Sequence, residues 1–303
     1  MLFGISFLLW LVGFFVGRSG AESAFMGYES GNVLQYLLSL LLFAASSVVV
    51  SSFHLFERRI YWLASLVFAL IAVSLFIHGD LACAVSLLLF VVLLSCLFSC
   101  VQGCDNRRSL FSIFALFGAA SFFYPQFMTL LPVLLLYIYM SGLVGTKGLL
   151  SALLGLLLPF WFIFGAIYIW PEAAGFAGDF YARVSCLASA GGRHLSVTDA
   201  VAAAAWLAVT LPYAALFTGS AVPGKPYLRK RLQFLMLLDI YLFVLSMIYT
   251  NDFEIYYTWS LPIKGVMLSY IYTSKITFFT RYYFVLINII WLLLAPLELW
   301  LMY

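Results

Sequence analysis

The predicted fold depends on one apolar stretch, residues 110–139, which reads LFSIFALFGAASFFYPQFMTLLPVLLLYIY. One membrane-spanning helix needs roughly 20 apolar residues, so the stretch is too long for one span and short for two. Pro125 and Pro132 interrupt it. Irregular backbone at membrane depth survives only where other protein or a water-filled cavity covers it. The stretch therefore predicts a broken element enclosed by further transmembrane helices.

The composition predicts a membrane protein. Of the 303 residues, 65% are hydrophobic and 9% are charged, and the mean hydropathy is +1.10. Soluble domains carry about 25% charged residues. We therefore expect an all-α fold, a polytopic transmembrane helical bundle that forms a single integral membrane domain over residues 1–303. The net charge of +3 comes from scattered basic residues and indicates no nucleic-acid partner. Membrane lipid is the expected partner, with other membrane proteins as further candidates.

About eleven apolar runs fit spans, with the N-terminus in the cytoplasm and the C-terminus outside. In this orientation eleven Lys and Arg residues lie in inner loops, whereas the outer loops hold only Arg18, Arg183 and Arg193. Such a bias is typical of the positive-inside rule and predicts a multi-pass protein of a bacterial inner (cytoplasmic) membrane. The runs are about 1–17, 33–56, 60–77, 81–101, 110–124, 126–141, 148–170, 197–217, 232–250, 257–275 and 282–302.

The orientation depends on whether residues 110–141 cross the membrane once or twice. A single crossing would place the basic cluster Lys225–Arg231 outside, against the rule. We therefore predict a hairpin of two short spans that turns at Tyr124-Pro125-Gln126. Fifteen residues rise only about 22 Å, less than the roughly 30 Å of the hydrocarbon core, so the turn is predicted to lie below the outer surface.

The middle of the chain resembles a known group of proteins. The features are Arg107-Arg108, then Phe122-Phe123-Tyr124-Pro125, Leu131-Pro132 and Gly155 to Pro159. Over about residues 60–165 these are similar to an uncharacterised family of polytopic inner-membrane proteins from Bacteroidota-type bacteria. The resemblance implies a compartment and no activity.

The hydrophilic loop 171–196 is predicted to lie outside and to contain a short amphipathic helix at the membrane surface. Phe176, Phe180, Val184 and Leu187 recur at helical spacing. Asp179 and Arg183 are spaced as an i,i+4 ion pair.

Two charges lie deep in predicted spans. Asp239 is about 10 Å and Lys264 about 16 Å from the inner end of its span, at the rise of an α-helix. An unpaired charge there costs about 2.5–3.5 kcal/mol, so we expect an ion pair. Pro262 and Gly265 flank Lys264 and are expected to unwind that helix, as at transporter binding sites. The alternatives are a pair that only fixes helix register, or a lysine that snorkels outward.

Carboxylates in the first outer loop form a second candidate site. Glu22 and Glu29 lie there, and either could take a proton from an acceptor hydroxyl, as in transferases that use lipid-linked sugars. Solvated loop acids are the alternative. No catalytic residue is assigned, and Glu22 and Glu29 are only candidates.

Three classes of function remain open. No phosphate-binding, dinucleotide-binding, hydrolase or metalloprotease motif occurs, which favours a non-enzymatic membrane component such as a scaffold or assembly partner. The interrupted helices and the candidate pair favour a transporter or flippase of a lipid-linked or amphipathic substrate. The outer acids alone favour a glycosyltransferase with a lipid-linked sugar donor. We expect no cofactor and no metal, since Cys96, Cys100 and Cys104 follow no usual zinc spacing.

Overall fold

A computed structural model describes residues 33–51, 81–100, 107–142, 146–170, 174–188, 197–218, 226–273 and 282. Within these residues the chain forms nine α-helices and two 3-10 segments and contains no strand. The prediction of an all-α fold is therefore confirmed for the described chain.

The helices are numbered along the chain. They are α1 (Val33–Ser51), α2 (Leu81–Ser99), α3 (Arg107–Phe123), α4 (Leu131–Ser141), α5 (Thr146–Ile169), α6 (Ala174–Ala188), α7 (Val197–Thr218), α8 (Pro226–Ile248) and α9 (Phe253–Thr273). The 3-10 segments are Pro125–Leu130 and Thr250–Asp252. The predicted runs 1–17 and 60–77, and 282–302 apart from its first residue, lie outside the described residues.

Three helices of the described chain are long and apolar enough to cross a membrane. They are Leu81–Ser99, Lys147–Ile169 and Leu228–Ile248, within α2, α5 and α8. The shorter apolar helices include Leu41–Val50, Pro125–Ser141 and Asp199–Ala208. By length and composition the chain is thus compatible with membrane insertion.

The break in the deciding stretch lies at Tyr124, and its form differs from the prediction. The backbone of Tyr124 is extended (φ −128°, ψ 91°), as expected for a residue that precedes a proline. The predicted span 126–141 is helical but has two parts, because residues 125–130 are 3-10 and only Leu131–Ser141 is α-helical. Pro132 lies in the first turn of α4, where its missing N–H costs no helical hydrogen bond. Pro132 has no N–H to donate to the carbonyl of Met128, and that carbonyl instead accepts the shorter 3-10 bond from the Leu131 amide.

Helices α3 and α5 pack side by side and run in the same direction. Near their first turns, the Ser151 hydroxyl donates to the Arg107 carbonyl at 2.8 Å. Further along both helices, a Cβ on Gly118 would meet the ring of Pro159 at 3.2 Å. Because the contacts advance together along both helices, the two are parallel. The chain between them must therefore return to the end at which α3 begins.

Basic residues mark that end. Arg231, in the first turns of α8, donates to the carbonyl of Phe98 and lies over the Phe98 ring. Phe98 also contacts Tyr137 of α4 and Phe234 of α8 edge-on. The sequence predicts Lys225–Arg231 to lie in a loop, but α8 begins at Pro226, a residue favoured at the first helical position.

Helix α6 lies at the opposite end, within the loop predicted at 171–196. The ring of Phe180 stacks on Phe122 at 5.1 Å and contacts Phe160 at 6.0 Å. The ion pair expected between Asp179 and Arg183 does not form among the described residues. Arg183 instead donates to the carbonyl of Phe123, the last residue of α3, at 3.2 Å. A helix C-terminus offers unpaired carbonyls to such a cation.

Helix α9 is the most enclosed helix of the described chain. All of its residues from 256 to 269 are buried, and it packs against α1, α2, α7 and α8. The Trp259 ring stacks on Phe90 of α2 at 5.2 Å and contacts Phe127 of the 3-10 segment at 4.6 Å. This helix also carries the buried charged residue Lys264.

Candidate functional site

An ion pair joins α8 to α9 in the interior. The ammonium nitrogen of Lys264 lies 3.3 Å from Oδ1 of Asp239. Lys264 is 1% exposed and Asp239 is 4% exposed. Lys264 therefore does not snorkel outward, and both charged side chains are enclosed by protein.

Helix α7 supplies the remaining partners of the carboxylate. The indole Nε1 of Trp206 donates to Oδ1 of Asp239 at 3.2 Å, and the hydroxyl of Thr210 donates to Oδ2 at 2.7 Å. Trp206 and Thr210 are four residues apart, so they lie on the same face of α7. Both carboxylate oxygens of Asp239 accept at least one hydrogen bond, as a buried carboxylate requires.

The ammonium group is also surrounded by protein groups. Lys264 donates to the hydroxyl of Ser260, one turn earlier on α9, at 2.6 Å. Its nitrogen lies 4.0 Å from the centroid of the Trp206 ring and 6.0 Å from that of Tyr257. A cation over an aromatic face is stabilised by about 2 kcal/mol or more when desolvated. We call Trp206, Thr210, Asp239, Ser260 and Lys264 the buried ion-pair cluster.

The cluster has the chemistry of a neutral junction between helices. One positive and one negative charge cancel, and groups from α7, α8 and α9 satisfy them. Such an arrangement offsets the desolvation of the charges only when its geometry is good and its hydrogen bonds are complete. Removing one partner would leave the other charge buried and uncompensated.

Pro262 and Gly265 do not unwind α9, which corrects that expectation. The helix is continuous from Phe253 to Thr273 with Pro262 inside it. Proline costs one hydrogen bond, to the carbonyl four residues earlier, and a clash that the helix can absorb by bending. Packing of both residues in the interior holds the helix together across this defect.

Tyr124 and Pro125, the other predicted site residues, form the break rather than part of the cluster. Pro125 is buried, and the carbonyl of Tyr124 accepts a hydrogen bond from the Phe127 amide at 3.0 Å. The polar residues that follow them contact α8, the Thr250–Asp252 segment and the first turn of α9. Gln126 Nε2 donates to Oδ1 of Asp252 at 2.8 Å.

Thr129 also joins the 3-10 segment Pro125–Leu130 to α8 and α9. The Tyr241 hydroxyl donates to the Thr129 carbonyl at 2.6 Å, and the hydroxyls of Thr129 and Tyr256 lie 3.3 Å apart. Burial raises the pKa of Asp252, and the hydrogen bond from Gln126 opposes that rise. The Oε1 atom of Gln126 is buried and has no hydrogen-bond partner.

The remaining predicted candidates lie elsewhere. Glu22 and Glu29 are outside the described residues, so the structure does not place them. Within the described ranges, no three His, Cys, Asp or Glu side chains are grouped to hold a metal ion. Cys96 and Cys100 are free thiols one turn apart, and the Cys100 thiol faces the Cys96 carbonyl at 3.8 Å.

Five residues that form these contacts are not predicted as partners from the sequence: Trp206, Thr210, Ser260, Gln126 and Asp252. Ser260 precedes Lys264 by four residues, a spacing that predicts a contact within one helix. Trp206 and Thr210 show the same spacing, but nothing in the sequence says which face of α7 meets α8. Gln126 and Asp252 are separated by 126 residues and carry no local signal.

Comparisons with known proteins place the chain in no family. No protein-family model matches it, and no curated protein and no solved structure is significantly similar to it. What is established is an all-helical chain, three of whose described helices are long and apolar enough to cross a membrane.

Proposed function

We propose that the protein is a multi-pass component of a bacterial inner membrane, with about eleven spans, an inner N-terminus and an outer C-terminus. Support comes from the charge distribution along the folded chain. Arg107, Lys147 and Arg231 lie in the first turns of α3, α5 and α8. The parallel packing of α3 and α5, and the contacts of Arg231 with the end of α2, are compatible with one basic side.

The parallel pair also favours two crossings by residues 110–141. A single crossing would make α3 and α5 antiparallel. Reporter fusions test this directly. Green fluorescent protein inserted at 143–145 should fluoresce, because that loop is proposed to be cytoplasmic. Alkaline phosphatase inserted at 171–173 should be active, because that loop is proposed to lie outside. Each position also receives the other reporter, and active phosphatase at 143–145 or fluorescence at 171–173 would contradict the topology.

Within this membrane component we propose a non-enzymatic, structural role, as a scaffold or assembly partner. The observation that carries this proposal is the completeness of the buried ion-pair cluster. Each charged atom already has partners from α7, α8 or α9. A site that waits for a charged substrate would instead keep polar atoms for that substrate. The cluster is suited to hold three helices in one register.

A transporter or flippase of a lipid-linked or amphipathic substrate is the second candidate. Two observations favour it: the buried charged pair at a helix junction, and a broken element joined to α8 and α9 by a few polar contacts. Ionisable groups inside transmembrane bundles often mark ion or substrate pathways.

One neutral variant separates the two roles. Asp239→Asn combined with Lys264→Met removes both charges; the Asn carbonyl oxygen still accepts from Trp206, and its NH2 group donates to the Thr210 hydroxyl, which then serves as the acceptor. It is tested in a strain that lacks the gene and shows a defect, with the membrane level of the protein measured in parallel. A structural role predicts that the neutral pair restores the wild-type phenotype. Loss of function at an unchanged membrane level would instead support transport and overturn the structural proposal.

A further inference from the structure

The side-chain amide of Gln126 has one hydrogen-bonded atom and one without a partner. A proton on the neighbouring Asp252 carboxyl would supply the missing donor. Its Nε2 donates to Asp252 at 2.8 Å, whereas its Oε1 is buried without a hydrogen bond. Leaving a buried acceptor without a donor is unfavourable, so such atoms are rare and call for an explanation. An ionised carboxylate only accepts hydrogen bonds and offers Oε1 nothing.

We propose that Asp252 binds a proton and, in that form, closes a reciprocal carboxylic acid–amide pair with Gln126. One proton is taken from water onto Oδ2, and the new O–H donates to Oε1 while Nε2 continues to donate to Oδ1. Both polar atoms of the amide are then satisfied. The pair latches the 3-10 segment Pro125–Leu130 to the Thr250–Asp252 turn.

The surroundings of Asp252 favour the protonated form. Within the described chain Asp252 forms no ion pair with a cation. The Tyr256 phenol interacts with it instead, and Arg183 of α6 donates to a backbone carbonyl. The titratable groups from the packed elements are Tyr241 of α8, Tyr249 in the link between α8 and the Thr250–Asp252 segment, and Glu254 and Tyr256 of α9. Burial, the larger influence, raises the pKa of this carboxyl.

The Gln126–Asp252 pair connects two irregular segments of the chain. Gln126 follows the break at Tyr124-Pro125, and Asp252 precedes α9. Loss of the proton removes the bond to Oε1 and leaves a negative charge in a partly buried turn. We therefore infer that rising pH loosens the 3-10 segment from α8 and α9.

An isosteric variant tests the proposal. In Asp252→Asn, the amide nitrogen replaces the acidic O–H as donor to Oε1, so the variant imitates the protonated state at every pH. The thermal unfolding midpoint of purified full-length protein is followed from acidic to neutral pH. We expect the wild-type midpoint to fall relative to that of Asp252→Asn as pH rises. Asp179→Asn, which removes an exposed carboxylate from α6, is the control and should follow the wild type.

The second variant acts in the opposite direction. Gln126→Glu places two carboxyls where the pair stands, and they share one proton, so stability should decline with rising pH more steeply than in the wild type. A constant difference between wild type and Asp252→Asn across the pH range would overturn the proposal. Failure of Asp252→Asn to fold would also overturn it, because that variant reproduces every hydrogen bond of the protonated pair.

Discussion

Lys264→Met tests the energetic role of the buried ion pair, because methionine removes the charge and retains most of the volume. At the observed 3.3 Å separation and an effective dielectric constant of about 20, the attraction to Asp239 is about 5 kcal/mol. The variant also loses the hydrogen bond to Ser260. Breaking a buried pair from one side costs about 3–5 kcal/mol in measured cases, and we expect a loss of this size.

The second arm of the experiment removes the other charge. Asp239→Asn leaves the ammonium group with Ser260 and the ring of Trp206, and we expect a loss of similar size. In the double variant no charge is left buried. Its loss of stability should therefore be smaller than the sum of the two single losses by about 3 kcal/mol, which is the coupling energy of a double-mutant cycle.

Reversible unfolding in mixed detergent micelles, followed by tryptophan fluorescence, measures these free energies. Lys147→Met is the matched control, since Lys147 is an exposed lysine near the start of α5 and its loss should cost no more than about 0.5 kcal/mol. If the losses of the two single variants simply add in the double variant, the charges are not coupled and the reasoning from the 3.3 Å contact is refuted.

Further predictions concern the helix contacts. Gly155→Ala should destabilise the protein by about 1–3 kcal/mol, because its Cβ would collide with the backbone of Phe111; Gly165→Ala, whose Cβ meets nothing within 4 Å, should cost nothing. Equal unfolding free energies for these two variants would contradict close packing of α3 on α5. Thr210→Val should cost about 1.5–3 kcal/mol, the value of a hydrogen bond to a charged group, and an unchanged free energy would show that its bond to Asp239 contributes nothing.

The helices could be predicted because apolar runs end at recognisable residues. Gly142, for example, follows α4 with a left-handed backbone (φ 66°), at the predicted end of the span 126–141, whereas the start of α8 at Pro226 was placed too late, at 232. Such signals are local, so a single chain displays them. The 3-10 form of residues 125–130 was not predicted, because a proline pattern indicates a break and not the geometry that replaces the helix.

The contact between Asp239 and Lys264 followed from an energetic argument rather than a pattern. Two opposite charges at similar depth in neighbouring predicted spans favour pairing, whatever the packing around them. The same argument cannot identify Trp206, because a neutral donor can lie on any face of α7. Nor could it show that α9 continues through Pro262, since that outcome depends on how many helices pack against it.

The polarity of α9 explains its central position. The helix has 21 residues, yet its Ser, Thr, Tyr and Lys side chains keep it outside the set of three helices that are apolar enough to cross a membrane by themselves. Several hydroxyls bond to carbonyls of the same helix, as Ser260 does to Tyr257 and Ser269 to Val266. Lys264 also bonds within α9, to the Ser260 hydroxyl, but its charge needs a counter-charge, which comes from another helix. The carboxylate of α8, held by two side chains of α7, provides it, so α9 is stable in an apolar bundle only when α7 and α8 are already beside it.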